Sequence, residues 1–297
     1  ANLRFIKIKS LKNFYFLTVL ILLSCSDKVS MQEFDSAEII KTIVLPKTIN
    51  ETSGLEFYNK NFITHNDSGD GPSLYVFNEN GDLIKTIDLN KDANFEIENN
   101  DWEDIASDDK YLYVADTGNN FGNRSNLNII RVNKEDDYKV DGIIEILYAD
   151  QETFFPRPKH KYDAEAILVI DEQLVLFSKD RENLNTDLYL VDKFEKAAQK
   201  LTSEFDFNVN SLITGGDYKN ELNLLALVSY NSKGNQYLIL FERFDLENLE
   251  ENTFKKYIIP LEKAQIESIK IIDKKTFWVT SEDEGVGNPI MYKLKVK

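Results

Sequence analysis

The chain has 297 residues, of which 42% are hydrophobic and 29% charged, enough to bury a sizeable core in one or two domains. Its formal net charge of -16 argues against a nucleic-acid partner, which requires a basic footprint to displace counterions. A single cysteine, Cys25, excludes an internal disulfide framework and any thiolate metal cluster.

In chain order, the first feature is a basic segment carrying Arg4, Lys7, Lys9 and Lys12. It is followed by the apolar run Phe14 to Leu23, long enough for a signal peptide and short for a membrane span. The run closes on Leu22-Leu23-Ser24-Cys25, which resembles the lipobox read by prolipoprotein signal peptidase. That resemblance implies cleavage before Cys25 and acylation of its amine and sulfur. Residues 1–24 are then a signal peptide, 25–34 a polar lipidated tether, and 35–297 the folded body. Several acyl chains would hold the protein to a membrane, with the outer membrane of a bacterial envelope as the expected location.

Beyond the tether, sustained helical periodicity is almost absent. Short runs rich in β-branched and aromatic residues dominate, beginning with 38–45, 73–77, 110–116 and 126–132 and ending with 275–283 and 289–296. Asn80-Gly81, Asp141-Gly142 and Gly234-Asn235 punctuate them as hairpin turns. Such a pattern predicts an all-β fold.

Repeats narrow the fold further. Five segments open on two polar residues spaced by two, then an apolar strand: Glu51/Ser53, Asp101/Glu103, Asp163/Glu165, Asn208/Asn210 and Gln265/Glu267. Each following strand ends in an acid or amide, at Asp67, Asp116, Asp180, Asn231 and Asp283. The openings recur every 45 to 62 residues, which suits four-stranded blades. The last copy has room for three strands, and the unused strand 38–45 can supply the fourth. The expectation is a single β-propeller of five blades, its ring closed by that N-terminal strand. A sixth blade within 133–162 or 243–263, or a β-sandwich, stays open as an alternative.

In a blade, the start of the innermost strand and the end of the next lie on the same face. The polar pairs of all five repeats should therefore meet at one mouth of the channel. Like charges crowded there must be offset by water, protonation, basic neighbours or a bound cation. The expected ligands of such a cation, with Ca²⁺ favoured over Mg²⁺ by the hard oxygen donors, are Glu51, Glu103, Asp163, Glu165 and Glu267. Arg124, Asp116, Asn120, His160 and Asp67 are candidates for contacting a small anionic or polyhydroxylated ligand. Basic residues near that face, including Lys179 and Arg181, could equally form internal salt bridges that steady the loops. His65 could carry a proton near neutral pH or simply cap a turn. Trp102 and Trp278 read as packing residues between blades. No glycine cluster precedes a helix as a nucleotide site requires.

At His65-Asn-Asp-Ser-Gly69, Asp101-Trp-Glu-Asp-Ile-Ala106, Tyr113-Val-Ala-Asp-Thr-Gly-Asn-Asn120 with Arg124, and Tyr162-Asp-Ala-Glu-Ala-Ile167, the chain resembles propeller lipoproteins of the Bacteroidota type. More distantly it is similar to the superfamily of phytase-like, gluconolactonase-like and SdiA-regulated-type propellers. The resemblance implies a calcium-loaded channel mouth and, in some members, hydrolysis of phosphate esters or lactones. The fourth repeat departs from it, with Asn208, Asn210 and Asn231 where acids stand elsewhere. Two function classes follow. One is an envelope propeller that binds a ligand or protein partner. The other is a calcium-dependent hydrolase in which Glu103 or Glu165 activates water and His65 protonates the leaving group.

Overall fold

The computed structural model describes residues 34–91, 93, 96–261, 264–282 and 287–297. Cys25, the rest of the expected signal peptide, the tether up to residue 33 and Asp283 lie outside the described residues. The alternating apolar strands form five antiparallel sheets of at least four strands each, and no described helix is long and apolar enough to cross a membrane.

Blade I comprises Thr52–Tyr58, Asn61–Asn66, Ser73–Phe77 and Leu83–Asp88. Blade II comprises Asp104–Ser107, Tyr111–Asp116, Asn128–Asn133 and Lys139–Tyr148. Blade III comprises Ala164–Ile170, Gln173–Ser178, Thr186–Asp192 and Phe205–Phe207. Blade IV comprises Leu212–Lys219, Leu224–Tyr230, Gln236–Glu242 and Lys255–Ile259. Blade V comprises Ile266–Asp273, Thr276–Ser281 and Ile290–Lys295, and its outer strand is the N-terminal Glu38–Val44, antiparallel to Ile290–Lys295. The first strands pack against one another in cyclic order I-II-III-IV-V-I, so the molecule is a five-bladed β-propeller closed by its N-terminal strand. The long connections in which a sixth blade could have lain instead supply the outer strands of blades II and IV.

Two short parallel strands stitch neighbouring blades together. Gln199–Leu201, on its way to the last strand of blade III, runs beside Ile146–Tyr148 of blade II. Asp35–Ser36 runs beside Tyr257–Ile258 of blade IV before the chain crosses to blade V. Both cover outer edges that would otherwise present unpaired backbone groups.

Apolar side chains alternate along each strand, so every blade offers two apolar faces, and the core is five layers between adjoining blades. Trp102 lies in the I–II layer and Trp278 in the V–I layer, both buried as expected. Around the channel, polar side chains tie the blades directly. Thr117 Oγ1 donates to Ala164 O (2.7 Å), Thr214 Oγ1 to Ile266 O (2.6 Å), and Ser53 Oγ to Glu103 O. Asp104 is the central tie: its Oδ2 accepts the Ile167 amide at 3.0 Å and the Gly216 amide at 3.2 Å, joining blades II, III and IV.

Candidate functional site

The equivalence of the repeats is written in one recurring backbone bond. The amides of Asp67, Lys179 and Glu282 donate to the carbonyls of Glu51, Asp163 and Gln265, and Gly118 does the same to Asp101. The first polar residues of four repeats therefore occupy the same station on one rim, as their spacing predicted. In blade IV that station belongs to Leu212, which pairs with Tyr230, followed two residues on by Thr214. Asn208 and Asn210 precede Leu212 by four and two residues and are not equivalent to the station pair. The polar spacing of that repeat imitated the template, and only the strand register separates the two. The inner ring is thus Ser53, Glu103, Glu165, Thr214 and Glu267, all buried. A register shift at or beside this position in blades I, III, IV and V makes room for the side chains to gather.

The carboxylates converge in two overlapping groups. Oxygens of Asp67, Asp101 and Glu103 lie within 4.8 Å of one another, and so do those of Glu103, Asp163 and Glu165. Glu103, shared by both, is 5% exposed. Glu267 approaches from blade V, where it feels Lys179, Glu282 and Glu165. Glu51 donates its amide to Asn66 Oδ1 and accepts from Asp67 through its carbonyl; its carboxylate belongs to neither group.

Two cations enter this assembly, both from the loop after the second strand of blade III. Lys179 Nζ lies 2.8 Å from Glu165 Oε2, and Arg181 lies 2.8 Å from Asp163 Oδ2 and 3.6 Å from Glu165 Oε1. They serve as the internal salt bridges that the sequence left open. The Glu103–Asp163–Glu165 group is therefore largely neutralised from within, whereas among the described residues no cation is ion-paired to the Asp67–Asp101–Glu103 group, on which Arg124 and Arg181 act only from further off. Burial holds Asp67 up to about 8, helped by Asp101, Glu165 and Glu282. Burial likewise pushes Glu103 well above the usual carboxylate range, reinforced by Glu165, Asp67 and Asp163. Glu165 rises through burial to about 7, with Lys179 pulling the other way. Although burial disfavours its charge, Glu165 and Glu267 keep Lys179 firmly protonated.

Buried acceptors remain without a hydrogen-bond donor at this mouth: Glu165 Oε1 and Glu267 Oε1, with Arg181 only in ion-pair range of the former. Gly118 completes the enclosure. A Cβ there would collide with Glu103 Oε1 and the Asp101 carboxylate, so glycine at this station leaves the space that the acids fill. Oxygen donors only, in a half-enclosed setting with unmatched acceptors, suit a hard cation such as Ca²⁺ or Mg²⁺. The Asp67–Asp101–Glu103 group fits one best because, among the described residues, no protein cation is ion-paired to it; Arg124 acts on Asp101 and Arg181 on Glu103 only at longer range.

The other predicted residues are placed differently. Asp116 accepts from Asp101 N (3.0 Å), Asn100 Nδ2 (2.9 Å) and Arg124 (2.8 Å), while Arg124 also donates to Gly118 O at 2.6 Å. Asn120 accepts from Arg181 through its side chain and pairs through its carbonyl with His160 Nε2 at 3.2 Å. His160 lies against Gly122 and accepts the Tyr162 amide at Nδ1. These four residues form a framework holding the 117–124 loop and the approach to Asp163 in place. Asp180 caps its own loop, accepting the amides of Glu182 and Asn183. His65 is sealed under the mouth at 0% exposure, edge-on to Trp102, with Nδ1 near Asn66 O and its ring also in reach of the Asp104 backbone. Burial lowers it to about 4. Sequence reasoning placed Asp67 and Asp101 at the rim but did not include either in the cation's ligand set. The signal for both was available in the motifs His65-Asn-Asp67 and Asp101-Trp-Glu103.

No protein-family model matches the chain, and no curated protein matches it. Among solved structures it is similar to a chain of a mitotic checkpoint complex at 10% identity and TM-score 0.46, covering 96% of this chain and 99% of that one. A hypothetical protein from Leishmania major matches at 9% identity and TM-score 0.49, over 87% and 91% of the two chains. A GH43 β-1,3-galactosidase determined with galactodeoxynojirimycin matches at 10% identity and TM-score 0.49, over 87% and 94%. The strand pairing defines the class of protein: a five-bladed β-propeller with an acidic mouth.

Proposed function

We propose that the acidic mouth binds a divalent cation, Ca²⁺ by its donor chemistry, and that the propeller uses this loaded mouth to hold a small anionic or polyhydroxylated ligand or a protein partner. The observation that carries the reading is the charge imbalance at one buried place. Asp67, Asp101, Glu103, Asp163, Glu165, Glu267 and Glu282 act on one another there, with Lys179 and Arg181 as the interleaved cations and Arg124 acting on Asp101. Buried carboxylates without compensation are costly, and a divalent ion supplies the missing charge and fills unmatched lone pairs. Asp67, Asp101 and Glu103 are its ligands, with Glu267 and Glu165 facing it.

The test is equilibrium dialysis of chelator-stripped protein against Ca²⁺, with metal analysis of the retentate. One tightly held ion per chain is expected, lost in Asp101→Asn and Glu103→Gln variants that keep the wild-type circular dichroism spectrum. Wild-type protein that retains no ion would overturn the reading. The lipobox-like Leu22 to Cys25 supports placement of this propeller on an envelope membrane, the outer one by preference, through lipidated Cys25. Radiolabelled palmitate incorporation that Cys25→Ala abolishes tests it.

One observation favours the hydrolase alternative. Glu165, held near 7, has the proton affinity of a general base working at neutral pH. In such an enzyme the bound ion would polarise a phosphoryl or lactone oxygen. His65 does not serve as its acid, because a sealed imidazole lowered to about 4 holds no proton to give. A screen of phosphate monoesters, diesters and lactones, with and without chelator, separates the two classes.

A further inference from the structure

The channel has a second mouth, and its chemistry is different. A cavity of about 790 Å³ opens where the five inner strands end, lined among others by Tyr58, Ser107, Val169, Lys219 and Ile271, one from each blade. This volume is in the range of small-molecule sites. Five lysines reach it: Lys110, Lys134, Lys193, Lys219 and Lys270. Two are matched by acids. Lys270 bridges Glu56 and Asp217 at 2.8 Å each, and Lys193 lies 3.3 Å from Asp108 and 3.5 Å from Glu172. These pairs account for four of the acids in the wall. The others, Asp109, Asp171 and Glu221, are exposed at its edge.

Lys134 and Lys219 are not matched in this way. Lys134 is 8% exposed, yet its ammonium donates to the Asp108 carbonyl at 2.5 Å and lies over the Tyr58 ring at 4.7 Å. Lys219 donates to the Ile272 carbonyl at 2.8 Å. Among the described residues neither has a carboxylate within ion-pair distance of 4.0 Å. Burial disfavours the charge on Lys134 and lowers its proton affinity, with Glu56, Asp108 and Asp109 pulling the other way. These three acids act on Lys134, and Asp273 on Lys219, only from beyond ion-pair distance, so both ammonium groups are open to an anion at contact distance. The same cavity is edged by Phe57 and Phe194, exposed by 42% and 53%, a large apolar exposure for two residues sharing one rim.

We propose that this second mouth is a binding site for a small organic anion, bearing carboxylate or phosphate groups that bridge Lys134 and Lys219 and an apolar or aromatic body that rests on Phe57 and Phe194. The site is independent of the cation-loaded mouth, which lies at the opposite ends of the same strands. Its ligand class is set by two ammonium groups beside aromatic surface, a combination that favours anions with a hydrophobic part over inorganic ions alone.

Isothermal titration of the full-length protein with citrate, pyrophosphate and 1-naphthyl phosphate tests this, the three probes separating carboxylate, bare phosphate and phosphate with an aromatic body. The expected result is 1:1 binding of at least one probe with Kd below about 1 mM, tightest for 1-naphthyl phosphate, and weakened tenfold or more in both Lys134→Gln and Lys219→Gln. Lys219 is half-buried, so its variant keeps the test valid if Lys134→Gln folds poorly, with the melting temperature as the check on folding. The proposal is overturned if no probe reaches that affinity, or if Lys219→Gln binds as wild type does.

Discussion

Proton competition offers the sharpest test of the cation site. Asp67, held up to about 8, is mostly protonated at pH 6, and Ca²⁺ binds only its ionised form. Loading the site at that pH must therefore expel a proton. Each proton released makes the apparent affinity change about tenfold per pH unit, equivalent to about 1.4 kcal/mol. Asp67 alone thus makes Kd at pH 6 about 50-fold weaker than at pH 8, and the dependence flattens above pH 8 as the group ionises unaided. Glu165, at about 7, steepens the lower part of the curve if the ion also draws on it. The stability of the ion-free protein runs the opposite way. A carboxylate raised by folding contributes stability that is full below its unfolded value and is lost as pH rises through its folded one. Chelated protein should accordingly weaken as pH climbs towards 8, and added Ca²⁺ should raise its melting temperature more at pH 8 than at pH 6. Titration calorimetry at pH 6, 7, 8 and 9, in two buffers of different ionisation enthalpy, gives both affinity and proton count. A Kd constant within twofold from pH 6 to 8, with no proton released, would refute the assignment of Asp67 as a ligand.

Three further outcomes follow from the geometry. Asp104→Ala leaves the amides of Ile167 and Gly216 without their acceptor at the centre of the ring. It should cost about 3–5 kcal/mol in denaturant unfolding, and a loss under 1 kcal/mol would show that the blades do not depend on that tie. Gly118→Ala drives a methyl into Glu103 and Asp101. It should lower Ca²⁺ affinity at least tenfold at a stability loss of about 1–3 kcal/mol, and unchanged affinity would place the ion elsewhere. His65, lowered to about 4, should keep a neutral imidazole in NMR spectra down to pH 5, and a midpoint between 6 and 7 would contradict its sealed position.

Much of the fold was legible because a propeller repeats one local rule. Alternating apolar strands, turn residues and a missing fourth strand in the last copy were enough to place 38–45 as the closing strand, and Glu38–Val44 does pair with Ile290–Lys295. The convergence of Glu103, Asp163 and Glu165 was legible for the same reason, since a station in one blade faces its equivalents in the others. The fourth repeat misled because Asn208 and Asn210 reproduce the polar spacing, while the strand that carries the station starts later, at Leu212. Spacing alone does not reveal register. Nor could it reveal that Arg124, Asp116, Asn120 and His160 are consumed in holding loops, because their backbone and side-chain partners are brought close only by the folded turns. The lysine-lined mouth was invisible for a similar reason: Lys134 lies after a third strand and Lys219 at the end of a first, with no sequence spacing in common.

The asymmetry of the acidic mouth has a consequence for where its ligand sits. Blade III brings Lys179 and Arg181 to its own acids, and blade IV places Leu212 and Thr214 where its neighbours have carboxylates. Negative charge without an ion-paired cation is therefore concentrated on blades I and II, at Asp67, Asp101 and Glu103. An ion held there would lie on the side of blades I and II, with Arg181 of blade III within the field of Glu103. A ligand spanning the two would meet a hard cation on one side and a guanidinium on the other, an arrangement suited to an oxyanion or a row of hydroxyls. A five-fold ring thus becomes a directional site through the sequence of two blades: III adds cations to its acids, and IV withdraws the carboxylates.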